Sequence, residues 1–312
     1  MARVKPTLLP VTLAGVPLRN PIIAAAGTCG YVTELADVLA PAALGAIVTK
    51  SITREPRVGN PPWRIIDARH GMLNAVGLAN VGLDGFVADK LPAAAGVDTV
   101  IIGSIAGNSI DDYVAVAAAF DAADTLPLVE LNVSCPNTSD GLQFGEHPAG
   151  LRALLSAVRP ALGRTKMIVK LSPNVGDIVA MARAAIDGGA DAITLINTVS
   201  ALAIDVDTRQ PRLSRGAGGL SGPAIHPIAV RMVWQVYDAI ARDAGVPIIG
   251  LGGVVRWQDA AELVLAGATA VGMGTALFVD PRLPLRVARG LEAWVKKQGC
   301  RTLDELTGEV AM

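Results

Sequence analysis

The sequence predicts an α/β protein folded as a (β/α)8 TIM barrel, with long βα loops over the C-terminal mouth. Eight short apolar runs recur along the chain, each closed by Gly, Ser, Thr, Asn or Lys at or just after its end. The runs lack strict apolar–polar alternation, which is typical of parallel strands buried on both faces. The predicted strands are Pro21–Gly27, Ala46–Lys50, Thr99–Gly103, Leu128–Val133, Met167–Leu171, Ala192–Asn197, Pro247–Gly250 and Ala270–Gly274.

Amphipathic, Ala-rich stretches of helical length separate most of these runs, which gives the alternation of a barrel. An open doubly wound sheet is the alternative, but it normally carries GxGxxG directly after its first strand. The segment Ala25–Tyr31 (AAGTCGY) fits that pattern poorly, so we expect a single barrel domain over residues 1–312. The predicted helices include Asp111–Ala123, Pro148–Leu162, Asp177–Gly188, Pro223–Ala244 and Trp257–Ala266.

Composition excludes several classes of protein. The chain has 312 residues, of which 51% are hydrophobic and 18% charged, so it is not intrinsically disordered. Its 27 Lys+Arg against 28 Asp+Glu leave a net charge of −1, which gives no basic surface for nucleic acid or an anionic membrane. No apolar run reaches the roughly 18 residues of a membrane span.

The few cysteines and the N-terminal prolines indicate a cytosolic protein. Cys29, Cys135 and Cys300 are odd in number and widely spaced, with no CxxC pair, so neither a disulfide framework nor a zinc site is expected. Pro6 and Pro10 interrupt the N-terminal apolar stretch, which argues against a signal peptide.

Two connections between predicted strands are unusually long, and both follow the C-terminal end of a strand. They run over Ser51–Leu83 and Thr198–Gly222. Barrel enzymes carry their chemistry on the loops at this face, and long loops there are commonly functional. We therefore expect them to form lids over a small-molecule site.

Polar residues from several strand ends meet at the same mouth of such a barrel. Lys50 closes the second predicted strand, and Lys170 lies on the fifth. A single lysine at a strand end is commonly solvated, but two lysines within apolar strands need accepting partners, because burying an unpaired ammonium is costly. Neither has an acidic neighbour on its own strand. Other polar or small residues at these strand ends are Asn132, Ser134, Cys135, Asn137, Asn197, Thr198, Gly252, Gly253, Gly274 and Thr275.

Glycines after the last two strands indicate a phosphate site. Gly252-Gly253 follows the seventh strand and Gly274-Thr275 the eighth, where backbone N–H groups of this fold commonly bind a phosphate. The residues alone leave open a phosphate-binding isomerase or lyase that uses Lys50 or Lys170 as a Schiff base or electrostatic group. A scaffold without catalysis would explain neither the two strand lysines nor the nearby thiol.

Cys135 lies just past the fourth strand, in the segment Asn132-Val-Ser-Cys-Pro-Asn137. Most free cysteines are small buried hydrophobes, but the polar loop and Pro136 favour a thiol that faces the mouth, where lysines lower its pKa. It could act as nucleophile or as general base. Because the three histidines show no spacing typical of a triad, we favour the acid–base role. Cys29 is interpreted as packing and Cys300 as tail surface.

Several motifs in the same order resemble those of the class 1 dihydroorotate dehydrogenases, which carry Cys where class 2 enzymes carry Ser. The resemblance extends from about Leu13 to Phe278, and the turn at Gly30-Tyr31 with the segment Glu55–Pro61 is most similar to the subclass 1B catalytic subunit. The motifs are Asn132–Asn137 (NVSCPN), Gly71–Leu78 (GMLNAVGL), Glu55–Pro61 (EPRVGNP), Lys170–Asn174 (KLSPN), Gly219–Ile225 (GLSGPAI) and Pro247–Gly253 (PIIGLGG).

The resemblance implies an FMN-dependent oxidation of (S)-dihydroorotate to orotate in de novo pyrimidine (UMP) biosynthesis. Cys135 would take the C5 proton as the C6 hydride passes to flavin N5, and Lys170 near flavin N1/O2 would stabilise the anionic reduced flavin. Lys50 would contact both flavin and the substrate carboxylate. Residues Thr138–His147 would form a lid. The substrate residues implied are Lys50, Asn74, Ala75, Val76, Gly77, Leu78, Asn132, Asn197 and Thr198.

The resemblance also implies a single FMN-binding domain and a partner. A homodimer is expected, and subclass 1B would add a heterotetramer with an iron–sulfur flavoprotein whose FAD and [2Fe–2S] cluster pass electrons to NAD; subclass 1A would use fumarate. Another FMN-dependent pyrimidine reductase, similar to dihydropyrimidine dehydrogenase, is the nearest alternative. The FMN residues implied are Ala26, Gly27, Lys50, Ser51, Ser104, Asn132, Lys170, Ile196, Gly222, Gly252, Gly253, Gly274 and Thr275.

Overall fold

Residues 9–34, 36–134 and 144–311 are described by this computed structural model. Most of the strands within these ranges are short and buried. They are β1 (Val11–Leu13), β2 (Val16–Leu18), β3 (Ile22–Ala24), β4 (Ala46–Val48), β5 (Ile65–Ala68), β6 (Gly71–Asn74), β7 (Val100–Ile105), β8 (Leu128–Asn132), β9 (Lys166–Leu171), β10 (Ala192–Leu195), β11 (Val199–Ala201), β12 (Ile204–Asp205), β13 (Gln210–Pro211), β14 (Gly218–Ser221), β15 (Ile248–Leu251) and β16 (Ala270–Met273).

Helices alternate with the longer strands. They are α1 (Gly82–Gly85), α2 (Leu91–Ala94), α3 (Ile110–Asp121), α4 (Pro148–Val158), α5 (Ile178–Asp187), α6 (His226–Val236), α7 (Arg242–Ala244), α8 (Trp257–Leu265), α9 (Ala276–Val279) and α10 (Leu283–Lys297). Two π-helical turns, Phe86–Lys90 and Tyr237–Ala241, join α1 to α2 and α6 to α7. Short 3-10 turns lie at Pro41–Ala43, Arg159–Ala161, Pro223–Ile225 and Asp304–Leu306.

Eight parallel strands close a barrel in the order β3-β4-β7-β8-β9-β10-β15-β16. Every predicted strand coincides with one of them, so the predicted (β/α)8 barrel is confirmed. The residues of β4, β10 and β16 are all buried, which explains why their sequences are continuously apolar rather than alternating. In the described ranges, no helix combines the length and apolarity needed to cross a membrane.

The predicted helices are found with small shifts at their ends, and each has an identifiable start. Ser109 accepts a hydrogen bond from the Asp112 amide at the start of α3, and Asp177 does the same for Ala180 at the start of α5. Helix α10 was not predicted, although its buried positions Pro284, Val287, Ala288, Leu291 and Val295 follow helical spacing. Many charged residues lie between these apolar positions, so the helical pattern was not recognised in the sequence.

The two long loops pair with each other instead of forming separate lids. The first supplies β5 and β6 and the second supplies β11 and β14, which make one antiparallel sheet in the order β11-β14-β6-β5. Within it, Asn74 of β6 pairs with Gly219 of β14. The roof of the mouth is therefore built from chain segments about 145 residues apart.

Cys29 is buried in the core, as its interpretation as a packing residue requires. Burial, with a smaller contribution from the Glu34 carboxylate, raises the pKa of its thiol from the ordinary 9.0 to about 12. An unfolded thiol loses its proton above pH 9 while the folded thiol keeps it, so the unfolded state binds fewer protons. The contribution of the Cys29 thiol to folding stability is therefore fully present below pH 9, and it is lost as the pH rises toward 12.

Replacing Cys29 by alanine is expected to remove this loss. Above pH 9 the wild-type free energy of unfolding should fall by about 1.4 kcal/mol per pH unit more steeply than that of Cys29→Ala. Urea unfolding of both proteins on either side of pH 9 measures the difference. Equal pH dependence of the two proteins would contradict the assignment.

Candidate active site

A cavity of about 850 Å³ lies between the barrel mouth and the four-stranded sheet. This volume is in the upper range of small-molecule sites. Ser134 and Gly145 also line it, on either side of residues 135–143. The predicted site residues that line it are Ala26, Gly27, Lys50, Ser51, Asn74, Ala75, Val76, Gly77, Leu78, Asn132, Lys170, Ile196, Asn197, Thr198, Gly222, Gly252, Gly253, Gly274 and Thr275.

Strand register brings the polar residues of β8, β9 and β10 side by side. Lys170 pairs in register with Asn132 on one neighbouring strand and with Thr194 on the other. Because side chains two apart share a face of a strand, Glu130 points to the same side as Asn132. The barrel interior therefore holds a polar layer just beneath the cavity.

Glu130 is the acidic partner that Lys170 lacks on its own strand. Its Oε1 lies 3.8 Å from Lys170 Nζ, and its Oε2 accepts a hydrogen bond of 2.8 Å from the Thr194 hydroxyl. Only 2% of Glu130 and 7% of Lys170 is exposed. Sequence reasoning missed Glu130 because it considered each strand alone, whereas the partner comes from the adjacent strand of the barrel.

The side-chain amides at the mouth are held in a fixed orientation. Asn197 Nδ2 donates to Asn132 Oδ1 at 3.0 Å, and the Thr198 amide donates to Asn197 Oδ1 at 2.9 Å. Carboxamides present both donors and acceptors, so this pair can recognise a ring that carries C=O and N–H groups. The arrangement suits a planar heterocycle with amide edges.

Lys50 lies on the opposite side of the mouth. Burial lowers the pKa of its ammonium group, and the positive charge of Arg64 lowers it further. A Cβ placed on Gly27 would come within 3.6 Å of Lys50 Nζ, so this glycine leaves the space beside the ammonium group open. The negative charge of an anionic ligand would offset the energetic cost of keeping the Lys50 ammonium group away from water and near Arg64.

Ser104 is the predicted cofactor residue that does not line the cavity. It is fully buried on β7, and its hydroxyl lies 2.8 Å from the hydroxyl of Ser51, which does line the cavity. Ser104 therefore reaches the site only through Ser51. The sequence correctly placed Ser104 near the end of a barrel strand, but it did not show that the side chain lies behind Ser51 and away from the cavity.

Hydrogen bonds of the roof sheet and its neighbours hold the segment that lines one end of the cavity. Asn74 Nδ2 donates to the Gly219 carbonyl at 3.3 Å, and Asn60 Nδ2 donates to the Ala75 carbonyl at 2.8 Å. A Cβ on Gly219 would overlap the Thr198 hydroxyl, so only glycine lets these strands approach. The segment Asn74–Leu78 is thus fixed from both sides.

The far end of the cavity is formed by glycine-rich turns, as expected for a phosphate site. Gly253 has φ +69°, and an added Cβ would lie 2.8 Å from the Gly222 carbonyl oxygen, so the two turns pack backbone to backbone. Thr275 donates a hydrogen bond of 2.7 Å to the Ser221 hydroxyl, which links the turn after β16 to the roof.

Several cavity residues were missed by the sequence analysis, although most lie within motifs quoted for the resemblance. Arg57 contacts Asn108 at 3.1 Å, and Asn174 ties the loop after β9 to the roof through the Thr198 carbonyl. A systematic reading of every polar residue in those motifs would have found most of them. The missed residues include Arg57, Asn60, Asn108, Ser172, Asn174 and Arg215.

Cys135 and most of the predicted lid, Thr138–His147, lie outside the described residues. The assignments for Cys135 therefore stay predictions from the sequence. Of the lid, Gly145 and Glu146 are described and line the cavity.

The comparison with known proteins agrees with this geometry. Residues 8–295 match a family model described as dihydroorotate dehydrogenase. The chain belongs to the dihydroorotate dehydrogenase family. This confirms the resemblance found in the motifs, and the family is FMN-dependent.

Several relatives within the dihydroorotate dehydrogenase family carry the name dihydroorotate dehydrogenase B (NAD(+)), catalytic subunit. The protein from Geobacter sp. (strain M21) is 44% identical over 97% of this chain and 98% of its own, and that from Desulforudis audaxviator is 47% identical over 96% of both. A protein from Solibacter usitatus, 46% identical over 96% of this chain and 97% of its own, is provisionally named dihydroorotate dehydrogenase A (fumarate). Overall identity therefore does not separate the two electron acceptors.

The residues present fit FMN. The turns that line the far end of the cavity pack so closely against their neighbours that a Cβ on Gly222, Gly252 or Gly253 would clash, and Lys50 and Lys170 supply positive charge at the mouth. The side-chain amides of Asn132 and Asn197, which are hydrogen-bonded to each other, also line the cavity. Cation, amide and backbone donors are thus arranged as a flavin with a phosphate tail requires.

Proposed function

We propose that this chain is the catalytic subunit of a dihydroorotate dehydrogenase, which oxidises (S)-dihydroorotate to orotate in de novo pyrimidine biosynthesis in the cytosol. The observation that carries the proposal is one cavity that combines a buried and a half-buried lysine, a fixed pair of asparagines and glycine turns, in a chain of this family. The whole chain acts as one FMN-binding domain.

The roof and the strand ends bind the pyrimidine ring in this proposal. Asn74, Asn132 and Asn197 take its amide edges, with Thr198 and the backbone of residues 75–78 completing the pocket. Lys50 binds the substrate carboxylate, an interaction that also offsets the cost of its burial.

The reaction needs a base at C5 and an acceptor for the hydride at C6. When bound, FMN supplies the two-electron acceptor. Cys135 removes the C5 proton as a thiolate, and the carbon–hydrogen bond at C6 breaks with its electron pair leaving as hydride. Lys170, held beside Glu130, would supply a fixed positive charge at the flavin site, which favours a two-electron acceptor that takes up negative charge.

FMN is held along the cavity by the predicted cofactor residues. Ala26, Gly27, Lys50, Ser51, Lys170 and Ile196 contact the ring system, with Ser104 supporting Ser51 from behind. The backbone of Gly222, Gly252, Gly253, Gly274 and Thr275 binds the phosphate.

Electrons leave for NAD through a partner subunit that carries FAD and a [2Fe–2S] cluster, in a heterotetramer built on a homodimer. The names of the Geobacter and Desulforudis relatives support this acceptor, and the sequence features at Gly30-Tyr31 and Glu55–Pro61 agree with it. The fumarate-type name of the Solibacter relative makes fumarate the second candidate.

A visible spectrum of the purified chain under anaerobic conditions tests this function. We expect a flavin spectrum that bleaches on addition of dihydroorotate, because the reduced flavin absorbs little visible light. Adding NAD with the partner subunit, or fumarate alone, then identifies the acceptor by the return of colour. A bound flavin that dihydroorotate does not bleach would indicate another FMN-dependent pyrimidine reductase, and a colourless protein that refuses FMN would indicate a phosphate-binding barrel isomerase or lyase.

A further inference from the structure

His226 lies directly behind the glycine turns and has no role in the function proposed above. It is the first residue of α6, and its Nδ1 lies 2.7 Å from the carbonyl oxygen of Gly252. A carbonyl oxygen can only accept, so Nδ1 carries the hydrogen and donates it. This bond fixes the peptide plane that joins Gly252 to Gly253.

The opposite side of the imidazole faces acidic residues of α8. Its Nε2 is buried without a hydrogen-bond partner among the described residues, with Glu262 Oε2 3.4 Å away, and only 12% of the side chain is exposed. Asp259, on the preceding turn of α8, completes a cluster of possible ligand atoms within 4.8 Å of one another. The ring is thus held between the Gly252 carbonyl and a helix.

This cluster has the residue types of a metal site, but Asp259 is already engaged. Its Oδ1 accepts from Arg256 Nε at 2.8 Å, and its Oδ2 accepts from the amides of Val255 and Arg256 at 2.9 and 3.1 Å. These bonds hold the chain just after the Gly252-Gly253 turn. Asp259 and His226 therefore fix the same turn from its two ends, which is a positioning arrangement rather than a ligand shell.

The packing around the Gly252-Gly253 turn also favours a positioning role for His226. A Cβ on Gly253 would lie 2.8 Å from both the Gly222 carbonyl oxygen and His226 Cβ. The turn is therefore confined between the Gly222 turn and the start of α6 at His226, and the imidazole adds its hydrogen bond to the Gly252 carbonyl. Gly252 and Gly253 both line that cavity.

We propose that His226 is a positioning residue that orients the Gly252-Gly253 turn for the phosphate group of FMN through its hydrogen bond to the Gly252 carbonyl. This role rests on the proposed function, since it concerns the phosphate end of the same site. His226 does not line the cavity. Its removal therefore weakens recognition of the phosphate and leaves recognition of the ring system unchanged.

The test compares FMN with riboflavin, which lacks the phosphate, on protein freed of flavin. Quenching of flavin fluorescence gives the dissociation constant of each. We expect His226→Ala to weaken FMN binding about tenfold or more, the effect of losing one well-placed hydrogen bond, and to leave riboflavin binding unchanged. His226→Asn restores FMN binding, because its amide nitrogen can replace Nδ1 as donor.

Two further variants keep the test decisive. His226→Leu retains volume without a donor and replaces the alanine variant if that protein does not fold. Arg231→Ala removes an exposed side chain of the same helix, α6, that does not line the cavity, and this variant should bind both flavins as the wild type does. Equal loss of FMN and riboflavin affinity, or unchanged FMN affinity, overturns the proposal. A wild-type protein that binds neither flavin overturns the proposed function itself.

Discussion

Replacing Cys135 by serine is expected to lower turnover of dihydroorotate at neutral pH by about 10²- to 10⁴-fold, the usual contribution of a general base. A serine hydroxyl is a far weaker base than a thiolate, so the C5 proton is no longer removed efficiently. FMN should remain bound, because Cys135 is not among the residues assigned to it. Steady-state turnover and the flavin spectrum of the same preparation measure the two properties separately.

Cys300→Ser is the matched control for the Cys135 variant. Cys300 is half-buried beyond α10, and its thiol contacts only the Gln298 carbonyl among the described hydrogen bonds. Its replacement should leave turnover unchanged. Full activity of Cys135→Ser at neutral pH would remove the general-base assignment.

Replacing Lys170 by methionine is expected to affect both stability and chemistry. The variant leaves the Glu130 carboxylate buried without its positive partner, and breaking a buried pair in this way costs about 3–5 kcal/mol of unfolding free energy. Loss of a positioned charge should also slow reduction of the flavin by dihydroorotate about 10²- to 10³-fold. Urea unfolding and anaerobic stopped-flow reduction measure the two effects.

The double variant Lys170→Met with Glu130→Gln separates the two roles. It removes the uncompensated charge, so stability should recover while the reduction rate stays low. Lys166→Met on the same strand is the control, because its ion pair with Asp191 is exposed and worth at most about 1 kcal/mol. If Lys170→Met reduced its flavin at the wild-type rate, the electrostatic role of Lys170 would be wrong.

Most of the fold was predictable because the signals are local. All eight barrel strands were found from apolar runs, since a strand buried on both faces leaves no polar position for alternation. Helix α10 escaped because its apolar stripe lies among charged residues. The pairing of the two long loops into one sheet also escaped, because β6 and β14 are far apart in the chain and their Gly219–Asn74 contact has no local signature.

Much of the candidate site was also predictable, because strand ends of a closed barrel converge whatever their separation in sequence. Cavity residues Arg57 and Asn174 were missed even though their motifs were recognised. Glu130 and His226 were missed for another reason. Each acts through a neighbour on a different element, and such pairs follow from register and packing rather than from spacing along the chain.

The sequence by itself determined the barrel, the mouth at which its reactive residues gather, and the family to which the chain belongs, because strand periodicity and ordered motifs are written along the chain. Only the tertiary structure decided that Lys170 has Glu130 as its partner, that Ser104 lies behind Ser51, and that His226 holds the Gly252 carbonyl. Hydrogen bonds and ion pairs act over about 3–4 Å, and only folding brings such distant residues that close.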